Sequence, residues 1–239
     1  MPANASEEMN VTDFVQSFPS KLISRRALLA ASVAGIAIGA GFLPALAQQN
    51  KGPAEVSVGE LMQPGPLPDQ VLGKADAPVT IVEYASMTCG HCASFHTAVL
   101  PTLKQKYIDT GKVKLILREF PLDNLAAAAS MLTRCTTPEK SYELTAKLFA
   151  EQEAWAYVRS NAVPALFKIA ESAGFTKDSF DKCLKDDKLL EGITNTRDRA
   201  NKSFGVSATP TFFINGRKLE TASDRIESFD QAIEPLLKK

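Results

Sequence analysis

The most constraining feature of this 239-residue sequence is a pair of cysteines that directly follows a stretch of strand-forming residues. The stretch PVTIVEYAS, residues 78–86, is short, β-branched and apolar, which is typical of a strand buried on both faces. The segment TCGHCA, residues 88–93, contains Cys89 and Cys92, and apolar residues recur at helical spacing from Phe95 onward. Cys89 is therefore predicted to lie at the first turn of a helix that follows a core strand, with Cys92 one turn further along.

The order of the remaining elements indicates an α/β fold. Residues 112–120, KVKLILREF, predict a second buried strand, and residues 123–202 carry apolar residues at the three- and four-residue spacing of helices. Residues 209–220 predict a hairpin with a type I′ turn at an Asn-Gly pair, followed by a last helix with a cap near Asp224. The predicted order is therefore βαβ, an all-helical insert, and then ββα.

Residues 1–47 predict an export signal rather than a part of the fold. A polar stretch ends at Arg25 and Arg26, an uncharged run follows, and Ala45 and Ala47 are the small residues that a signal peptidase accepts. We expect cleavage after Ala47. Because the uncharged run is about 20 residues long, an uncleaved inner-membrane anchor is the alternative.

The export route stays open between two machineries. The arginine pair resembles a twin-arginine signal, but Leu28 stands where Phe is usual and Ala30 where Lys is common. Either route places the protein outside the cytoplasm, in the periplasm, where an even number of cysteines usually means disulfides. Residues 48–70, which are rich in proline and glycine, predict a surface lead-in.

Charge excludes one class of partner. The 27 basic residues balance the 27 acidic residues, so no excess of positive charge indicates a nucleic-acid partner.

The position of the cysteine pair favours redox chemistry. Unpaired backbone N–H groups and the helix dipole stabilise a thiolate at Cys89, and His91 adds a donor or a positive charge beside that sulfur. A purely structural bridge is disfavoured, because closing so tight a loop removes little entropy from the unfolded chain. A zinc or copper site is an open alternative, although the sequence has no second CxxC and offers few further ligands besides His96.

Three segments together resemble the DsbA-like thiol:disulfide oxidoreductases of the thioredoxin superfamily. They are PVTIVEYASMTCGHC, then REFPL at 118–122, and FGVSATPTFFING at 204–216. The resemblance covers the chain from about residue 71 and implies a thioredoxin fold with an all-helical domain inserted between its halves. The implied domains are 71–122 with 203–239 for the thioredoxin fold, and 123–202 for the insert.

The resemblance also implies roles for individual residues. Cys89 is the nucleophile and Cys92 its buried partner, and their redox-active disulfide needs no further cofactor. Pro210 is expected to be cis, with Thr209 beside the disulfide where a substrate strand can pair. Glu83 is expected to be a buried acid that helps to move the proton of the second cysteine; its alternative is a strand-end carboxylate that reaches water.

The other two cysteines predict a structural disulfide. Cys135 and Cys183 lie in two different predicted helices without a neighbouring histidine or a CxxC motif, so an exported protein would most simply join them. A loop of this length stabilises the fold by about 4 kcal/mol in the chain-entropy model. His96 and Trp155 are predicted to serve as packing residues in their helices.

The implied function is oxidation of reduced or unfolded exported proteins by a monomer, with reoxidation by a membrane quinone-linked partner of the DsbB type. Two residues favour an isomerase or reductase instead: Gly90 before His91, as in protein disulfide isomerase, and Thr209 in place of Val. The two activities lie at about −120 and −180 mV. Residues 48–76 are too short for the dimerisation domain that bacterial isomerases generally carry, which favours the oxidase.

A function of another class is a periplasmic metallochaperone. It would bind copper or zinc through Cys89, Cys92 and His96 without catalysing exchange.

Overall fold

The computed structural model describes residues 53–159 and 161–238. The predicted signal over 1–47 lies outside the described residues. The described lead-in contains a short helix, Val58–Met62 (α1), and then an edge strand, Gln70–Leu72 (β1). Neither was predicted, because a five-residue helix and a three-residue strand are too short to show a periodicity.

The two central strands agree closely with the predicted ones. Strand β2 spans Val79–Ala85 and strand β3 spans Val113–Glu119, and the two pair in parallel. Between them runs one helix, residues 90–108 (α2), in which wider π-helical turns at Phe95–Val99 and Lys104–Ile108 flank the stretch that contains Pro101. Pro101 therefore does not end the helix.

The segment between β3 and β4 contains six helices among its described residues. They are α3 Asn124–Arg134, α4 Pro138–Ala150, α5 Gln152–Ala156, α6 Val163–Ser172, α7 Lys177–Leu184 and α8 Asp187–Phe204. The predicted domain boundary at 202 falls inside α8, which ends only at Gly205, a left-handed C-cap with φ of 63°.

The chain then returns to the sheet through a hairpin. Strands β4, Thr211–Ile214, and β5, Arg217–Lys218, are antiparallel, and the turn between them has positive φ at both Asn215 and Gly216. This is the sign of φ that a type I′ turn requires. The last helix, α9 Ile226–Leu237, begins after Arg225 without a side-chain cap, so the predicted cap near Asp224 is wrong.

The five strands form one sheet in the order β1-β3-β2-β4-β5, with apolar layers on both faces. On one face Val79 and Ile81 pack with residues of α2 and α9; on the other Val82 and Tyr84 pack with residues of α1 and α8. Because side chains alternate along a strand, Glu83 points to the same face as Ile81, toward α2. A buried carboxylate is thus placed beneath the helix that begins with the cysteine pair.

Two largely buried ion pairs connect the sheet to neighbouring segments. Arg118 of β3 binds the Asp69 carboxylate through Nε and Nη2 at 2.8 and 2.9 Å and donates to the Leu61 carbonyl at 2.7 Å. Arg134 at the end of α3 binds Glu119 at 2.6 and 2.9 Å. The contacts of Arg118 explain why the lead-in packs against the sheet, and the Arg134–Glu119 pair joins α3 to β3.

Candidate active site

The cysteine pair lies directly beyond the end of β2. The backbone N–H of Cys89 donates to the Ser86 carbonyl at 3.0 Å, and the side chain of Thr88 donates to Asp123 at 2.7 Å. The buried amide of Gln152 on α5 donates to the carbonyls of Met87 and Cys89 at 2.8 and 3.1 Å. The loop that presents the first thiol is therefore held from both the sheet and the helical segment.

Cys89 is the N-cap residue of α2 and a free thiol that is 8% exposed. A hydrogen bond with the Cys92 thiol lowers the pKa of Cys89 to about 5, against the opposing effect of burial. Contacts with Thr209 and with the backbone N–H groups of Cys92 and His91 also contribute to this lowered value. The imidazole of His91 is exposed, and its predicted action on the Cys89 sulfur remains a prediction.

Cys92 has the opposite environment one turn further along the helix. It is fully buried, and its pKa is raised by burial, by its hydrogen bond with Cys89 and by the charge of Glu83. Because the two shifts have opposite signs, Cys89 is the sulfur that carries the negative charge at neutral pH. The more exposed thiol is therefore the thiolate and the fully buried one stays protonated, as expected of a nucleophile and its partner.

Glu83 is completely buried and is bound by a histidine. His96 Nε2 lies 3.0 and 3.2 Å from the two carboxylate oxygens, and the imidazole stacks on Phe149 with ring centroids 4.1 Å apart. The structure therefore differs from the alternative in which Glu83 reaches water, and from the prediction that His96 only packs. This pair could not be predicted from the sequence, because Glu83 and His96 come into contact only when α2 packs on the sheet.

The loop before β4 approaches the cysteine pair from the other side. The Thr209–Pro210 peptide bond is cis, and the Thr209 carbonyl oxygen lies 3.3 Å from Cys89 Sγ. Contact of Thr209 and Pro210 with a substrate remains a prediction.

A further side chain borders the site without a signal in the sequence. Tyr157, which is 56% exposed, donates its hydroxyl to the Thr88 carbonyl at 3.1 Å, and this hydroxyl also lies 3.5 Å from the position a Cβ would take on Gly90. The insert thus supplies an exposed aromatic ring at the rim of the cysteine pair.

The other two cysteines form a disulfide. Cys135, the C-cap of α3, is joined to Cys183 of α7, with an S–S distance of 2.12 Å and Cα atoms 6.0 Å apart. This bridge connects two helices of the insert.

For the alternative of a zinc or copper site, the described part of the chain shows no group of candidate ligands. Within residues 53–159 and 161–238, no three or more His, Cys, Asp or Glu side chains are grouped so that they could hold a metal ion. The Nε2 atom of His96 faces Glu83. The same ranges contain no helix with the length and apolar character needed to cross a bilayer.

Known proteins resemble this chain over the whole described core. A family model described as thioredoxin matches residues 67–235. A putative protein-disulfide oxidoreductase of Rickettsia bellii is 36% identical over 171 residues, which is 72% of this chain and 65% of the relative's length. Disulfide bond formation protein D of Bacillus subtilis is 28% identical over 185 residues, covering 74% of this chain and 80% of that protein.

Solved structures agree with these sequence relatives. Alpha-DsbA1 of Wolbachia pipientis has a TM-score of 0.69 and 34% identity, covering 76% of this chain and 96% of that one. BdbD of Bacillus subtilis has a TM-score of 0.64 and 25% identity, covering 78% and 97% of the two chains. The sheet order, the helical insertion and these matches together confirm the predicted fold, and the chain belongs to the DsbA-like thiol:disulfide oxidoreductases of the thioredoxin family.

Proposed function

We propose that this protein is an exported oxidase that introduces disulfides into reduced proteins through Cys89 and Cys92. The observation that carries the proposal is the asymmetry of the two thiols: the pKa of Cys89 is lowered to about 5, while that of Cys92 is raised. Stabilising the reduced form as a thiolate makes the corresponding disulfide a stronger oxidant.

The proposed cycle transfers two electrons from substrate to enzyme. A substrate thiolate attacks Cys89 Sγ and forms a mixed disulfide, while the bond to Cys92 breaks and its electron pair stays on Cys92 Sγ, which takes up a proton. A second substrate thiolate then attacks the substrate sulfur of the mixed disulfide. It releases Cys89 as a thiolate, which its lowered pKa makes a good leaving group.

The surroundings of Cys89 supply a place for the substrate chain. The Thr209 carbonyl lies against Cys89 Sγ, so an extended substrate segment that pairs with the backbone at Thr209 would bring its own sulfur next to Cys89. Tyr157 borders the same rim. We propose that Thr209, Pro210 and Tyr157 contact substrate, and that the exposed imidazole of His91 lies at the edge of this surface.

Reoxidation requires an electron acceptor outside this chain. We propose a membrane quinone-linked partner of the DsbB type, which would take the two electrons and restore the Cys89–Cys92 disulfide.

We also propose residues 1–47 as the export signal and the periplasm as the compartment. A fusion of these residues to alkaline phosphatase, which is active only after export, tests the signal. Replacing both Arg25 and Arg26 with lysine would abolish export by the twin-arginine route and leave general secretion intact.

The central experiment is a single turnover without a reoxidant. The oxidised full-length chain is mixed with an equal amount of reduced, unfolded ribonuclease, and disulfides in the ribonuclease and thiols in the enzyme are counted over time. We expect one disulfide to appear per enzyme disulfide lost, and no transfer by Cys89→Ala. Wild-type enzyme that stays oxidised beside the reduced substrate would contradict the proposal.

An isomerase is the second candidate, and Gly90 with His91 between the cysteines favours it. Scrambled ribonuclease distinguishes the two activities, because an isomerase restores ribonuclease activity from mispaired disulfides whereas an oxidase only adds disulfides to reduced chains.

A further inference from the structure

The buried histidine has no place in the exchange steps described above, although it is in direct contact with the site. His96 is 9% exposed, and its Nε2 contacts both oxygens of the Glu83 carboxylate at 3.0 and 3.2 Å. Phe149 covers one face of the ring, and Phe95 lies edge-on to it at 5.3 Å. The ring is therefore held in one orientation, with one nitrogen on the carboxylate and the other pointing away from it.

The residue that carries this ring also borders a cavity. His96 Nδ1 and the Thr145 hydroxyl are buried and have no hydrogen-bond partner among the described residues. Both residues line a cavity of about 380 Å³ between the edge strand β1 and helix α4, together with Leu72, Leu115 and Tyr142. A cavity of this size, bordered by two residues that each carry an unpaired buried polar atom, is a place where ordered water binds, because unpaired polar atoms are costly to bury.

Proton transfer at the buried sulfur is the step that such an arrangement could serve. Cys92 must gain a proton when it leaves the disulfide and lose one when it closes the disulfide again. It is fully buried, so water does not reach it directly. We propose that His96 relays this proton between water in the cavity and Glu83, which exchanges it with Cys92 Sγ. This inference rests on the proposed redox function and makes His96 a positioning and relay residue.

The relay balances in both directions. When Cys92 leaves the disulfide, Nδ1 accepts a proton from cavity water, Nε2 gives its proton to Glu83, and Glu83 protonates the sulfur. When the disulfide closes, the proton returns from the sulfur to Glu83 and Nε2, and Nδ1 releases one to water. The imidazole changes tautomer in the first transfer and regains its first tautomer in the second, so one complete cycle leaves it unchanged.

Other charged groups around the cavity are already paired. Asp69 in its wall is bound by Arg118, and Arg134 is bound by Glu119. Tyr142 is the remaining titratable group in the wall, and burial raises its pKa, so it stays neutral at physiological pH. Glu83 on β2 is thus the charged group in hydrogen-bond contact with the imidazole.

The relay is tested on the step in which Cys92 loses its proton. Reduced full-length protein is mixed with excess oxidised glutathione, which forms a mixed disulfide at Cys89; Cys92 then displaces glutathione in a first-order step. Trp155, the single tryptophan, packs in the same apolar cluster as both cysteines, so its fluorescence reports the step. For His96→Gln, whose amide can still donate to Glu83 but cannot relay a proton, we expect this step to slow about 100-fold.

Rescue distinguishes a relay from a structural role. In His96→Ala, which opens space continuous with the cavity, added imidazole should restore the rate in proportion to its concentration. Pyrrole, a ring of the same size with an N–H but no basic nitrogen, should not. Thr145→Val, which removes only an unpartnered hydroxyl, should slow the same step a few-fold because it removes a second water contact. Phe149→Leu is the packing control: it should not change the pH dependence of the rate.

The outcomes separate the two proposals. The relay is overturned if His96→Gln closes the disulfide as fast as wild type, or if the slowed His96→Ala is unaffected by imidazole. Alkylation of Cys89 should remain within about two-fold of wild type in every variant, since none of them touches the groups that stabilise that thiolate. Wild-type protein that fails to oxidise reduced ribonuclease would instead contradict the proposed function, whatever the variants do.

Discussion

The two cysteine pairs of this chain show how location decides what a thiol does. Cys89 and Cys92 lie three residues apart at the start of a helix, in contact with the Thr209 carbonyl on one side and near the Glu83–His96 pair on the other. Cys135 and Cys183 lie 48 residues apart and join two helices. In the first pair, the surroundings stabilise the thiolate of Cys89. In the second pair, the disulfide closes a long loop of the chain. The same residue type thus serves reactivity in one region and stability in the other.

The largest expected effect comes from removing the accessible thiol. Cys89→Ala should reduce the rate of dithiol oxidation by about 1,000-fold or more, because no other sulfur in the site is both accessible and ionised. A fluorescent dithiol peptide provides the assay.

The double variant Cys135→Ala/Cys183→Ala is the matched control for that loss. It removes two cysteines and their disulfide but should keep peptide oxidation near the wild-type rate. If it lost activity as completely as Cys89→Ala, the division between a reactive pair and a structural pair would be wrong.

The second-largest effect is on stability and affects the other pair. Cys135→Ala/Cys183→Ala should lower the free energy of unfolding by about 4 kcal/mol, because a disulfide that closes a loop of this length restricts the unfolded chain. Urea unfolding of wild type and variant measures the difference. A change smaller than about 1 kcal/mol would show that the bridge adds little to the fold.

The reactivity of Cys89 should depend on pH in a way that distinguishes it from an ordinary thiol. With a folded pKa of about 5 for Cys89, the rate of its alkylation by iodoacetamide should rise with a midpoint near pH 5. A free cysteine would give a midpoint of about 8.5. A measured midpoint near that value would mean that the helix start does not stabilise the thiolate.

The same shifts make stability depend on pH in the reduced protein. The lowered pKa of Cys89 stabilises the folded reduced form fully above about pH 8.5, and this stability is lost as pH falls toward 5. The raised pKa of Cys92 acts in the opposite sense, since the unfolded thiol ionises above about 8.5 while the folded one does not. Relative to the oxidised protein, the reduced form should therefore be most stable near pH 8 to 9. Unfolding of both forms across this range measures the difference.

The smallest expected effect concerns the loop that carries Cys89. Gln152→Leu removes the amide that binds the Met87 and Cys89 carbonyls and should cost about 1–3 kcal/mol of stability. Gln152→Glu is the control of matched size: it keeps the side-chain length but replaces the donor with an acceptor, and should cost at least as much. Equal stability of all three proteins would show that the loop is held by the sheet alone.

Much of this architecture could be predicted from local patterns. Strands β2 and β3, the cysteine pair at the start of α2 and the Asn-Gly hairpin each depend on residues that are neighbours in sequence. Three-residue strand β1 and five-residue α1 could not be predicted, because they are fixed by Arg118 and by pairing with β3 rather than by their own periodicity.

The candidate site shows the same limit. The family resemblance implied that Glu83 is a buried acid, but its partner His96 comes from another element, and the π-helical turn that contains His96 alters the helical register. Gln152 and Tyr157 reach the cysteine loop from the insert, with no motif near them. A contact between side chains of different helices and strands can be identified only when the packing of those elements is known.

The most direct test of the account is the equilibrium redox potential of the Cys89–Cys92 pair. The full-length protein is equilibrated with defined ratios of reduced to oxidised glutathione, and the fraction of free Cys89 and Cys92 is measured after acid quenching. An oxidase with a stabilised Cys89 thiolate predicts a potential near −120 mV. A value of about −200 mV or lower would contradict the proposed oxidase and assign this site to a reductase or an isomerase.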